Sequence, residues 1–267
     1  MTHLVRTGIG GWVFPPWRGV FYPPGLRQAD ELAFASRRLG AIEINATSKS
    51  LQKPETFARW ATQTPEDFVF TVKGHQACTN RKVLAEAGES VARFLGQGLT
   101  ELGSRLGPIF WQFIYKAFDP ADFGAFLDLL PAELDGRPLR HAVEVRHASF
   151  ADPRFVDLCR ARGVAIVLLD HPSSPLIEET TADFSYARLV RGSDDIETGY
   201  PPEALDAWAK RLHALSAGDG TQAPREVFAF FINAGKVRAP AAAMALAERL
   251  NPLDQGLGGG GWTSAGL

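Results

Sequence analysis

Apolar residues in this chain recur at every second position in short bursts, and between the bursts their spacing changes to three or four. The most informative burst is Ala142-Val143-Glu144-Val145-Arg146-His147. Val143 and Val145 point to one face, and Ala142, Glu144 and Arg146 to the other. A half-exposed strand would turn its charges to water. Here Ala151-Asp152 leads into Pro153, a good first helical position, and a helix to Arg162 stopped by Gly163. That helix covers the valine face. If the opposite face is covered as well, Glu144 and Arg146 lie inside, at the C-terminal end of the strand.

The same pattern repeats. Leu4 to Gly10 alternates Val5, Thr7 and Ile9 against Arg6, Gly8 and Gly10, and residues 27–39 follow as a helix with Leu32, Phe34, Ala35 and Leu39 as its stripe. Ala41 to Asn45 puts isoleucines on one parity and Glu43 and Asn45 on the other, before a helix from Pro54 to Gln63. Phe68 to Lys73 is a third strand, followed by helical spacing from Asn80 to Leu102 with a break at Gly96–Gly98. Pro108 to Phe113 is the fourth strand, and Asp119-Pro120 caps a helix to Leu130. After the fifth strand and its helix, Val164 to Leu169 is the sixth and ends in Asp170-His171. Residues 172–183 read as a degenerate helix or loop. Phe184 to Val190 is the seventh strand, with a helix over 202–215, and Glu226 to Ile232 is the eighth, followed by Asn233 and a helix from Pro240 to Leu250.

Eight strands separated by helical segments predict a single α/β domain, a parallel eight-stranded (β/α)₈ barrel of TIM type over residues 1–252. Residues 253–267 read as a flexible glycine-rich tail. A doubly wound open sheet is the weaker alternative, because Gly8-Ile9-Gly10-Gly11 lacks the GxGxxG spacing and runs into Trp and Pro rather than a helix.

Composition narrows the partners. The chain has 267 residues, 45% of them hydrophobic, enough for one large core. A net charge of -2 and a pI near 6.3 give no electrostatic case for duplex nucleic acid or an anionic membrane surface. Cys78 and Cys159 form no CxxC, which points to a reducing compartment. The N-terminus lacks the layout of a signal peptide, and no run reaches the roughly 20 apolar residues of a membrane helix. The expectation is a cytoplasmic protein.

In a barrel the C-terminal strand ends converge on one mouth, where active sites are built. The polar residues there are Glu43, Asn45, Lys73, Gln112, Glu144, Arg146, Asp170, Arg188 and Asn233. These groups could simply neutralise one another as a plug. But burying several charges costs kilocalories each unless all are satisfied, and apolar filling would serve stability as well. Lys73, Arg146 and Arg188 facing Glu43, Glu144 and Asp170 suit a small anion held by the cations, with a carboxylate as acid or base. The loop from Gly11 to Pro24 adds Trp12, Trp17 and Tyr22, which either pack down or contact ligand. His147 and His171 follow charged strand ends. A divalent metal held by the three acids and one of these histidines lacks HxH or HExxH spacing, and three cations oppose it, so no cofactor is expected. Glycosidase chemistry needs two carboxylates about 5 to 9.5 Å apart, whereas Glu43 and Glu144 come from nearly opposite strands.

Gly8-Ile-Gly-Gly-Trp12, Trp17-Arg-Gly-Val-Phe-Tyr-Pro23, Ile42-Glu-Ile-Asn45, Leu106-Gly-Pro108, Trp111-Gln-Phe113, Val143-Glu-Val-Arg-His147 and Tyr186-Ala-Arg-Leu189 together resemble the YecE-like family, domain of unknown function 72. The resemblance spans roughly residues 8–250 and implies a TIM barrel, with no substrate attached. Glu43, Asn45, Glu144, Arg146, His147 and Arg188 match its pattern. The chain departs from it at Ser48-Lys49-Ser50, at Ile114-Tyr115 and at Val190-Arg191, where the family usually has two aromatics and an Arg, a proline, and His-Gly. Those departures imply altered specificity or lost activity. The expected function is an enzyme acting on a small phosphate- or carboxylate-bearing substrate at the mouth by carboxylate acid/base chemistry. A non-catalytic anion-binding module and a metal-dependent phosphoesterase are the alternatives.

Overall fold

The structure, a computed structural model, describes residues 5–218 and 223–256. Eight strands close into one ring: β1 (Val5–Gly10), β2 (Ala41–Ile44), β3 (Val69–Lys73), β4 (Leu106–Phe113), β5 (His141–Val145), β6 (Ala165–Asp170), β7 (Phe184–Arg191) and β8 (Glu226–Ala234). Neighbours in sequence are neighbours in the ring, β8 returns to β1, and every pairing is parallel. The fold is a single (β/α)₈ barrel of TIM type. The helices outside it are α1 (Glu31–Ala35), α2 (Pro54–Thr62), α3 (Gln76–Thr79), α4 (Gly88–Leu95), α5 (Pro120–Asp128), α6 (Pro153–Ala161), α7 (Pro202–Ala217) and α8 (Ala239–Gly256). Asp119 and Asp152 cap α5 and α6 by accepting backbone N–H groups, with Pro at the first helical position of each.

The helical segments differ from expectation more than the strands do. The helix expected over 27–39 is a 3₁₀ turn, Gln28–Asp30, followed by the five residues of α1. Past Ala35 the chain continues as turns, Leu39 N–H bonding Ala35 O at 3.1 Å, before Gly40 N–H bonds Thr7 O of β1 at 3.0 Å. The segment after β3 breaks at Gly96–Gly98 as its glycines suggest, Gly98 taking φ +100, but it is further divided into α3, a 3₁₀ turn (Leu84–Ala87), α4 and another 3₁₀ stretch (Leu99–Arg105). Of the degenerate helix or loop expected after β6, the structure has the loop. Pro172 and Pro175 interrupt it, and it is tied down by Thr181, whose hydroxyl donates to Val164 O at 2.6 Å. Helix α8 runs on to Gly256, past the expected boundary at 252, and the rest of the glycine-rich tail lies outside the described residues. A small hairpin, Glu133–Leu134 with Arg137–Pro138, was not anticipated; its turn is Asp135-Gly136, both at positive φ, a pair whose sequence favours that geometry.

Strand parity sorts the core into two layers. Val5, Ile9, Ile42, Ile44, Phe70, Val72, Val143 and Val145 face the helices, in one continuous buried cluster. The other parity fills the barrel: Ala41, Val69, Phe110, Ala142, Val167, Leu169, Tyr186, Phe228 and Phe230. Phe110 stacks on Tyr186 at 5.6 Å, and Tyr186 tilts against Phe230 at 5.2 Å, giving a buried aromatic floor across the middle of the barrel. Below it, Glu226 bridges Arg6 and Arg140, the latter at 2.7 Å, and closes the N-terminal end. Among the described residues, no helix is long and apolar enough to cross a membrane.

β1 turns only glycines inward above Arg6, and the packing requires this. A Cβ on Gly8 would stand 2.1 Å from Ala41 O and 3.0 Å from the Phe230 ring. Because backbone cannot yield as a side chain does, Gly8→Ala is expected to destabilise the fold by about 1–3 kcal/mol or more. A urea midpoint unchanged from wild type would contradict this packing.

Candidate functional site

Above the aromatic floor the inward parity turns ionic. Glu43 on β2, Glu144 on β5 and Arg188 on β7 are essentially inaccessible, with Arg188 only 2% exposed. The Arg188 guanidinium takes Glu43 bidentately, Nη2 to Oε1 at 3.0 Å and Nε to Oε2 at 3.1 Å, and donates through Nη1 to Glu144 Oε2. Glu43 Oε2 also accepts the Tyr186 hydroxyl at 2.7 Å. Since that hydroxyl has one proton, Thr71 Oγ1, 2.9 Å away, must donate to it. Glu144 Oε1 accepts from Gln112 Nε2 at 2.8 Å and from Arg146 Nε at 2.7 Å. Every oxygen of both carboxylates is therefore occupied.

The electrostatics follow from this bonding. Burial by itself would raise the Glu144 carboxyl, but Arg188 and then Arg146 outweigh it and bring its pKa down to about 2. Burial also drives Tyr186 well up, assisted by Glu43, so its hydroxyl stays protonated. For Lys73, burial is the largest influence and lowers the ammonium pKa; Arg188 adds to this, and Glu43 and Glu144 oppose it.

The mouth cavity over this layer has a volume of about 330 Å³. Its walls include Lys73, Arg146, Arg188 and Lys236, together with Asn45, Gln112 and Asn233, and no acid. Four cations thus stand over two carboxylates that are buried beneath them. The Lys73 carbonyl accepts from the Thr47 hydroxyl at 2.7 Å, but its ammonium makes no ion pair or hydrogen bond among the described residues and lies 5.7 Å over the Phe110 ring. Lys236 sits 4.3 Å over Phe14, and its carbonyl accepts Trp17 Nε1–H at 2.7 Å. Asn233, at φ +68, leaves the strand geometry and reaches the wall.

Of the residues the sequence singles out, Glu43, Asn45, Lys73, Gln112, Glu144, Arg146, Arg188 and Asn233 come together here. Asp170, Trp12, Tyr22 and His147 do not line the cavity. Asp170 falls on the helix-facing parity of β6, one step beyond the inward Leu169, and pairs with Arg191 at 2.9 Å. Trp12 packs edge-on to Trp60 at 4.9 Å. Tyr22 is buried, and its hydroxyl donates to Trp12 O at 2.6 Å. His147 is exposed and caps the turn after β5, Nδ1 accepting Ser149 N–H at 3.2 Å. Trp17, whose loop was expected either to pack down or to contact ligand, is buried and also lines the wall, whereas Lys236 was not among the expected site residues. Lys236 lies two positions past the end of β8 at Ala234, where reading one loop further would have found it. Among the described residues, no group of three or more His, Cys, Asp or Glu is placed to hold a metal.

A closed parallel barrel whose polar strand ends converge on one mouth defines a protein of the TIM-barrel class with its candidate site at the C-terminal face. Residues 6–260 match the family model described as protein of unknown function DUF72, and the chain belongs to that family. It is 31% identical over 237 residues to the UPF0759 protein YecE of Escherichia coli K12, covering 78% of this chain and 81% of that protein. The crystal structure of a DUF72 family protein from Thermotoga maritima matches with a TM-score of 0.70 at 25% identity, over 94% of this chain and 100% of that one. A DUF72 family protein from Enterococcus faecalis shares the fold with a TM-score of 0.69 at 16% identity, over 93% of this chain and 98% of that one.

Glu144 links the site to acid stability. Its pKa near 2 lies below the ordinary value of about 4.3 expected of the unfolded chain, so its contribution is complete above about pH 4.3 and is lost as pH falls toward 2. The loss should amount to about 3 kcal/mol, read from denaturant unfolding across that range. Glu144→Gln should flatten this dependence. At neutral pH it should cost a similar amount, because Arg188 keeps its burial and loses a counter-charge. A pH profile identical in wild type and variant would refute the assignment.

Proposed function

We propose that this protein is an enzyme acting on a small phosphate- or carboxylate-bearing molecule, bound in the mouth of the barrel by Arg146 and Lys236, with Lys73 moving the proton. One observation carries the reading: the cavity wall holds four cations and no acid, and Lys73 is uncommitted among the described residues. An anion entering there meets a net excess of positive charge, four cations against the two buried carboxylates, over a low-dielectric floor where attraction is stronger than in water. Asn45, Gln112 and Asn233 add neutral polar groups that would orient it.

The choice of proton carrier follows from hydrogen bonding. Carboxylate acid/base chemistry was the expectation from sequence, but Glu43 and Glu144 spend all four oxygens on Arg188, Tyr186, Gln112 and Arg146, and neither reaches the cavity wall. Their role in this reading is to hold Arg188 and Arg146 in place. Lys73 stands in the cavity, and its lowered pKa brings it toward the range in which a lysine serves as general base or acid. The same saturation of the carboxylates favours a second reading, an anion-binding module that performs no chemistry.

The experiment is a thermal-shift screen of phosphorylated and carboxylated metabolites, followed by mass spectrometry of each stabilising mixture. An enzyme yields a product, and a binding module yields stabilisation alone. For a converted compound, Lys73→Gln is expected to lower kcat by about 10²–10⁴-fold while KM changes far less. Arg146→Ala should act mainly on KM. Turnover by Lys73→Gln at the wild-type rate would overturn the role given to Lys73, and a screen in which no anion stabilises the protein would overturn the reading as a whole.

A further inference from the structure

A second cavity, of about 580 Å³, adjoins the mouth, and Lys73, Gln112 and Ile114 belong to the walls of both. It is built by the loops that follow β2, β3 and β4. Its charged wall residues are Lys49, Lys73, Arg81, Lys82 and Lys116, again with no acid. Across the two cavities eight cations and no carboxylate form the walls, in a chain with 30 acidic and 28 basic residues. An ordinary solvated surface would mix the signs; segregation this complete over two joined hollows makes a directed field.

The cations of the second cavity are not equivalent. Lys116 pairs with Asp122 at 2.7 Å, and Arg81 donates to Ala77 O at 2.7 Å and to Ser90 Oγ at 3.1 Å. These two hold the loop walls. Lys49 and Lys82 are exposed and make no ion pair among the described residues, leaving two ammonium groups for a ligand, with the Gln76 and Asn80 amides beside them. Both volumes are of small-molecule size, within the roughly 300–1,000 Å³ typical of ligand pockets. Neither cavity alone uses all the charge gathered around their shared wall.

We infer that the ligand is a linear small molecule with two anionic groups, one seated in the mouth by Arg146 and Lys236 and the other held by Lys49 and Lys82 in the adjoining cavity, with Lys73 at the junction. This rests on the mouth being an anion site, as proposed above, and adds that the substrate class is bis-anionic: a bisphosphate, an oligophosphate or a phosphorylated carboxylic acid. The second group contributes binding rather than chemistry, since Lys49 and Lys82 stand away from the mouth. Anchoring one end also raises the effective concentration of the other at its own subsite.

Isothermal titration calorimetry of the full chain tests this with methylphosphonate as the single-headed probe and alkane-α,ω-bisphosphonates of increasing chain length as the double-headed ones. The expected result is that one range of linker lengths binds at least about tenfold more tightly than methylphosphonate, with shorter linkers showing no gain. In the Lys49→Ala/Lys82→Ala double variant that gain should disappear while methylphosphonate binds as before. In Arg146→Ala, methylphosphonate binding itself should weaken. If methylphosphonate binds the wild type but no bisphosphonate gains, or the gain survives the double variant, the second subsite is overturned and the mouth site stands. If neither probe binds the wild type, the anion reading of the mouth falls and this inference with it.

Discussion

The guanidinium of Arg188, clamped between Glu43 and Glu144, is the interaction on which the upper half of the barrel depends. It joins β7 to β2 and to β5, so three strands from widely separated parts of the ring meet on one planar group. Taking three charges out of water costs several kilocalories each, recovered only where geometry is good and the remaining hydrogen-bonding positions are filled. Tyr186, Thr71, Gln112 and Arg146 fill them. A stability device alone would stop at neutrality. This one has further cations above it, and the excess is what makes the mouth a candidate site.

The floor determines how strongly that excess is felt. Phe110, Tyr186, Phe228 and Phe230 fill the barrel beneath the ion layer, so below Glu43 and Glu144 the medium is apolar and the charges above interact through a low dielectric. The Arg188 guanidinium lies 4.6 Å over the Phe110 ring, and Lys73 shares the same ring at longer range. The ring thus adds a cation–π contact to the hydrogen bonds that hold Arg188. Gly8 and Gly10 on β1 leave the space into which Phe230, Ile232 and Asn45 pack.

The two ends of the chain cooperate at the rim. Trp17, in the loop after β1, donates to the carbonyl of Lys236, in the loop after β8, across the seam where the ring closes. Lys236 is thereby held over Phe14 and Trp17 instead of extending into water. Within a TIM barrel it is such loop contacts, far more than the strands, that distinguish one member's mouth from another's.

Alternation in the sequence was enough to give the eight strands and the inward parity of Glu43, Lys73, Glu144 and Arg146, because a strand has period two and a buried parallel strand leaves its side chains no third direction, while Gln112 and Arg188 were placed only by their position at strand ends. The same parity, applied to Val167, Leu169 and Asp170, would have set Asp170 outside the cup. Helix lengths were less legible: α1 and the segment between β3 and β4 are fixed by where the chain must rejoin the barrel, which local propensity does not encode. What only the tertiary structure decided was the use of each charge. One-dimensional spacing cannot show that Arg188 reaches both Glu43 and Glu144, leaving no carboxylate oxygen free, or that Lys236 and Trp17 close the rim from opposite ends of the sequence. Those are distances between strands and loops 44 to 219 residues apart in the chain, set by ring closure.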